Sequence, residues 1–160
     1  MVNMGYYEVS TICRNGHFIT SARQQHSDKF CRSCGVPNIS SCQQCNTPIR
    51  GKYRSDGILD LTSYDYVPAY CPTCSEAYPW TEKLLSNAVE LISLDEKLSP
   101  QHKELIKLAM PDLIVETPSS PVAVAKYKKY MATASDFIKD GMRNLLYDVV
   151  SETVKKSIWG

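Results

Sequence analysis

The sequence predicts an α+β fold in two parts: a small stapled β module over residues 1–80, then an α-helical region over residues 81–160 that includes one long helix. Three observations predict it. All seven cysteines fall at or before position 74, in tight pairs. The β-branched and aromatic runs that favour strands lie beside those pairs. Beyond residue 80 there is no cysteine, and apolar residues recur at helical spacing.

The pairs are Cys13-x-x-x-His17, Cys31-x-x-Cys34, Cys42-x-x-Cys45 and Cys71-x-x-Cys74, and they leave no odd thiol. Two residues between ligands let one tight turn aim both side chains at a single ion, and two such turns complete a tetrahedral Zn²⁺ shell. Eight ligands therefore predict two structural zinc ions per chain and a double zinc ribbon. Sequential pairing puts Cys13, His17, Cys31 and Cys34 on one ion and Cys42, Cys45, Cys71 and Cys74 on the other. Its intervening loops, 13 and 25 residues long, close locally at less entropic cost. Spacing alone leaves open a cross-braced alternative that pairs the first knuckle with the third and the second with the fourth. His17 is preferred as a ligand because a turn-forming Gly16 stands beside it. His26, in the polar loop 21–27, is the competing histidine and is read as an exposed loop residue; His102 is read as a surface residue on a helix.

Zinc is also what the module needs in order to fold. About 80 residues with few large aliphatic side chains build little core, and modules of this kind rely on staples. Structural zinc supplies about 10–16 kcal/mol of apparent binding energy in finger peptides, which becomes folding free energy when the site is absent from the unfolded chain. Disulfides are the rival use of the thiols, but seven cysteines would leave one unpaired.

In chain order, strand-like runs lead into or out of the ligand turns: 6–12 before Cys13, 18–20 after His17, 38–40 before Cys42 and 67–70 before Cys71. Arg50-Gly51-Lys52-Tyr53-Arg54 is read as a loop with three cations around one aromatic. The segment 55–66, acidic and tyrosine-bearing, is read as packing over the ribbon to supply core. A first helix is expected over 82–98 with Thr81 as its N-cap. A second runs over 100–110 behind the Ser99-Pro100 start signal and ends near Pro111. After a proline-punctuated linker, Ser120-Pro121 starts a third helix over 121–157. Its apolar face runs through Tyr127, Met131, Ala134, Phe137/Ile138, Met142, Leu145/Leu146, Val149/Val150 and Val154, with Gly141 the expected point of any kink. So long a face needs cover, which predicts self-association or a protein partner.

Composition narrows the function. The formal charge is +1, with 22% charged and 43% hydrophobic residues, which is globular rather than disordered. No run approaches the ~18 apolar residues that a membrane span needs. The first eight residues show neither a basic nor an apolar signal region, so a cytoplasmic location is expected. Residues 1–80 carry seven basic and six acidic side chains; seven thiolates and two zinc ions turn that balance negative, against a broad phosphate-binding surface. The lysines at 126, 128, 129, 155 and 156 are balanced across the helical half by as many acidic as basic residues and read as a solvated face. There is no H-E-x-x-H, no G-x-S-x-G, no phosphate loop and no H-x-E with P-C-x-x-C, so an enzyme is not expected.

The order Cys13-x-Asn15-Gly16-His17, then Phe30-Cys31-x-x-Cys34-Gly35, then Cys42-x-x-Cys45 with Ile49-Arg50-Gly51, then Cys71-x-x-Cys74 with Tyr78-Pro79-Trp80-Thr81 resembles a family of small bacterial proteins of unknown function with tandem zinc ribbons and an α-helical C-terminal half. The resemblance reaches Ser151-Glu152-Thr153 and Lys155-Lys156. It implies that His17 is a ligand and that both halves belong to one protein. It supplies no activity. Ser75 departs from the glycine that such knuckles often carry. The expected function is a non-enzymatic zinc protein whose ribbons form a recognition or scaffold platform, with a helical tail for oligomerisation or docking. The alternative is nucleic-acid binding through Arg50–Arg54.

Overall fold

The computed structural model describes residues 4–25 and 28–160. Residues up to Lys83 form one compact unit and Leu84–Gly160 a second. The first contains five short strands: β1 (Tyr6–Val9), β2 (Thr11–Cys13), β3 (Phe18–Thr20), β4 (Asn38–Ile39) and β5 (Arg50–Arg54). They make two antiparallel sheets, one in the order β3-β2-β4 and one pairing β1 with β5.

Residues 50–54 are therefore a strand and not the expected loop. Tyr6 faces Arg54, Tyr7 faces Tyr53, and the register shifts before Val9 meets Arg50. Gly51 explains the path: a Cβ there would stand 2.1 Å from the Ser21 carbonyl oxygen, so only glycine lets β5 pass so close. The core of this unit is small. It consists of Ile12, Ile39, Ile49, Tyr78 and Trp80 with the ligand cysteines Cys42 and Cys71. Tyr78 and Trp80 stack with centroids 4.8 Å apart, and the indole N–H donates to the Pro68 carbonyl at 2.8 Å. Segment 55–66 does not enlarge that core. Ile58, Leu59, Leu61 and Tyr66 are exposed, because the segment is held by polar bonds instead: the Lys52 ammonium donates to the carbonyls of Asp60 and Thr62.

The helices are α1 (Pro79–Ser93), α2 (Pro100–Ile114), α3 (Ser120–Met131), α4 (Asp136–Leu146) and α5 (Glu152–Trp159). The expected bounds shift for identifiable reasons. Thr81 is not a cap: it lies inside α1, and its hydroxyl donates to the Ala69 carbonyl at 2.7 Å. At the other end α1 stops at Ser93. Buried Asp95 ends the segment by accepting from the Lys97 N–H at 2.7 Å. The Ser99 hydroxyl caps α2 as expected, accepting from the His102 N–H. Yet α2 runs through Pro111, because continuing it buries Leu113 and Ile114, which offsets the hydrogen bond that proline forfeits.

The single helix expected over 121–157 is three helices, broken around 132–135 and 147–151. A 37-residue helix would run about 55 Å, and 15-residue partners cover only about 22 Å of it. Breaking it folds the stripe back on itself. Neither break is at Gly141, which lies inside α4 close against Leu91. Serines make the breaks. Ser135 leads α4 in an extended conformation, with its N–H bonded to the Asp95 carboxylate at 3.0 Å. Ser151 caps α5 by accepting from Val154. Burial works against the Asp95 carboxylate, but the backbone N–H groups of Lys97, Ser135 and Leu98 outweigh it and hold its pKa below the ordinary value. Tyr127, Met131, Ala134, Ile138, Met142, Leu146, Val150 and Val154 are consequently buried with Ile92, Ile106, Met110 and Leu113 in one apolar core, while Phe137 and Val149 stay exposed.

Candidate metal centres

Each Cys-x-x-Cys pair sits on the same backbone turn. In the first, the Cys31 N–H bonds the Val36 carbonyl and the Gly35 N–H bonds the Cys31 carbonyl, both at 2.9 Å. The second repeats this with Cys42, Thr47 and Asn46, and the third with Cys71, Glu76 and Ser75, again at 2.9 Å. Closing the turn demands a positive φ four residues after the first cysteine: 76° at Gly35, 61° at Asn46 and 62° at Ser75. Asparagine tolerates that region and serine less well, so the departure at Ser75 costs backbone strain and leaves the ligand turn intact. The Cys13–His17 turn differs. The Gly16 N–H bonds the Cys13 carbonyl, and a Cβ on Gly16 would come within 3.0 Å of Trp80.

These turns bring the eight residues into two groups of four, Cys13, His17, Cys31, Cys34 and Cys42, Cys45, Cys71, Cys74, with donor atoms in each group within 4.8 Å of one another. The grouping is the sequential one. Zn–S bonds of about 2.3 Å and Zn–N bonds of about 2.0–2.1 Å imply tetrahedral edges of about 3.8 Å between sulfurs and about 3.6 Å between sulfur and nitrogen. The Cys13–Cys34 Sγ atoms are 3.8 Å apart, and the Cys42–Cys74 and Cys45–Cys71 pairs 3.6 Å. His17 Nδ1 lies 3.4 Å from Cys13 Sγ and 3.6 Å from Cys31 Sγ. All seven cysteines are free thiols, and these separations are far longer than a disulfide bond. The donor sets fit a tetrahedral ion in size and chemistry.

Backbone and side-chain donors prepare the sulfurs for negative charge. The N–H groups of His17, Ser33 and Gln44 point at Cys13, Cys31 and Cys42 at 3.3–3.5 Å, although at Cys13 burial outweighs them and raises the thiol's pKa. The Val36 N–H, and the Asn15 amide at 3.4 Å, lower the Cys34 thiol to about 6. In the second group the Cys74 and Thr73 N–H groups lower Cys71 to about 6. Cys74 goes the other way: the Glu76 N–H favours its thiolate, but burial and three neighbouring thiols push it up. Thiolates that gather without a cation oppose one another, and a divalent ion removes that conflict.

The sequence did not reveal the shell around the ligands. Lys83 donates to the Asn15 side-chain oxygen Oδ1 at 2.9 Å, and the Asn15 side-chain Nδ2 donates in turn to Cys34, so a lysine far along the chain supports that sulfur through an amide. Thr47 Oγ1 lies 3.1 Å from Cys45 Sγ. Asn15 carried only a turn signal, and nothing in the sequence marked Lys83. His26 lies outside the described residues, and His102 packs on Tyr130 at 4.8 Å. The two groups differ in exposure: His17 and Cys34 are exposed, whereas every ligand of the Cys₄ group is buried or half-buried.

A small β unit carrying two four-donor clusters suited to zinc, followed by a five-helix half, defines the class of protein. The chain belongs to the family described as "Uncharacterized protein conserved in bacteria (DUF2321)", whose family model matches residues 6–158. Comparison with curated proteins and with solved structures gives no match.

Proposed function

We propose that the chain is a non-enzymatic, cytoplasmic protein that holds two structural zinc ions and uses the folded N-terminal unit as a recognition platform for a protein partner. The observation that carries this reading is that both donor groups are complete. Each offers four ligand atoms at tetrahedral separations, so an ion held there keeps no open position for water, whereas catalytic zinc keeps one. Seven free thiols suit a reducing compartment.

A protein partner is favoured by what the unit exposes. Phe30, Tyr66, Ile58, Leu59 and Leu61 stand in solvent, and apolar or aromatic side chains of this kind anchor interfaces. Most of the long helical stripe is buried, so docking through the C-terminal half would use exposed side chains such as Leu94, Leu108, Val122 and Phe137.

The nucleic-acid alternative has one observation in its favour: the Arg50 guanidinium lies 4.4 Å over the Tyr7 ring, and Tyr7 packs edge-on to Tyr53. Its other two cations are occupied, Lys52 on carbonyls and Arg54 on Glu8 at 3.1 Å. Fluorescence anisotropy with single-stranded RNA and DNA across salt decides between them. The proposal expects no saturable binding that depends on Arg50. Salt-sensitive binding that Arg50→Glu abolishes would replace it with the alternative.

A further inference from the structure

The last three helices enclose an open cavity of about 340 Å³, the size class that takes a small ligand. Its wall is unusual in charge. α3 contributes Tyr127 and Lys128, α4 contributes Lys139, Asp140 and Arg143, and α5 contributes Trp159. Surface cations on helices commonly pair with an acid three or four residues away, as Lys107 does with Glu104 and Lys155 with Glu152. Among the described residues Lys128, Lys139 and Arg143 have no ion pair, and neither does Asp140 between them. Three cations thus converge on one concavity against a single carboxylate, an arrangement that an anion relieves.

The aromatic part of the wall is prepared independently. The Arg143 guanidinium rests 5.3 Å over Tyr147, which limits its freedom before any ligand arrives. The Trp159 ring stands edge-on to Tyr127 with centroids 6.2 Å apart, and the indole remains half-buried. Tyr127 is only 4% exposed. Burial raises its pKa, so it stays a neutral donor.

We propose that this cavity binds a mononucleotide, with the phosphate held by Lys128, Lys139 and Arg143, the base against Trp159, and Asp140 accepting from a ribose hydroxyl or a base amino group. A simple inorganic anion would leave the indole and Asp140 without a role. An uncharged ring would leave the three cations unpaired.

The two tryptophans, Trp80 and Trp159, make the test direct. Indole N–H signals of the full chain are followed by NMR while the adenine, guanine, cytosine and uracil ribonucleoside monophosphates are added, with their nucleosides and inorganic phosphate as comparison probes; Trp159→Phe assigns the signals. At least one monophosphate should shift the Trp159 signal saturably and leave Trp80 still. Its nucleoside and inorganic phosphate should bind at least about tenfold more weakly, and Lys139→Gln or Arg143→Gln should each weaken it about tenfold. Both substitutions are on the surface of α4, and helical circular dichroism checks that the fold survives. The proposal is overturned by an absence of saturable shift, by inorganic phosphate or a nucleoside binding as well as the monophosphate, or by variants that bind unchanged.

Discussion

The two units are held together in opposite ways. The second buries seventeen side chains in one cluster spread over five helices. The apolar cluster of the first holds seven among the described residues, and two of those are candidate ligand cysteines. Its strands are two to five residues long, too short to form a sheet that stands alone. What repeats in the first unit is a backbone turn, and what repeats in the second is an apolar stripe. Stability should follow that division, with metal deciding the fate of one unit and packing the fate of the other.

Chelation is the largest lever on this difference. If the two clusters hold zinc as proposed, stripping it from the full chain should remove the near-ultraviolet signal of Tyr78 and Trp80 while leaving most of the far-ultraviolet helical signal. The Cys₃His group, with His17 and Cys34 exposed, should empty before the Cys₄ group. Loss of the helices in step with the metal would show that the second unit depends on the first.

Packing should have the reverse selectivity. Met142 is fully buried in the helical core, and Met142→Ala should cost about 2–5 kcal/mol in that unit's denaturant unfolding. Zinc content should not change. A variant that also loses zinc would break the comparison.

The smallest effects test the turns themselves. Ser75 pays for a positive φ that Gly35 adopts freely, so Ser75→Gly should raise the stability of the first unit by up to about 1 kcal/mol, and Gly35→Ala should lower it by a similar amount. Thermal unfolding of the zinc-loaded chain measures both. Equal signs would mean that the shared turn geometry is not what limits the unit.

The grouping of the candidate metal site was legible because its determinants are local. A Cys-x-x-Cys spacing fixes a turn, and the nearer pair is the cheaper one to join, which is how the sequential grouping could be anticipated. The support around it was not legible: Lys83 reaches Cys34 through Asn15 across 68 positions of sequence, and no spacing rule spans that. The helical half failed in an instructive place. Periodicity from Tyr127 to Val154 located the buried residues, but it is blind to breaks that preserve the stripe. The signals are Ser135-Asp136 and Ser151-Glu152, each a serine at the N-cap position followed by an acid. Residues 50–54 read as a loop because three cations surround one aromatic, yet they form a strand whose glycine lets the chain pass the Ser21 carbonyl.

Native mass spectrometry of the full chain, purified without added metal, bears most directly on the central claim. Two zinc ions per chain are expected, falling to one when Cys45→Ser disables the Cys₄ group. A native protein carrying no metal, or folding its first unit equally well without it, would contradict the account.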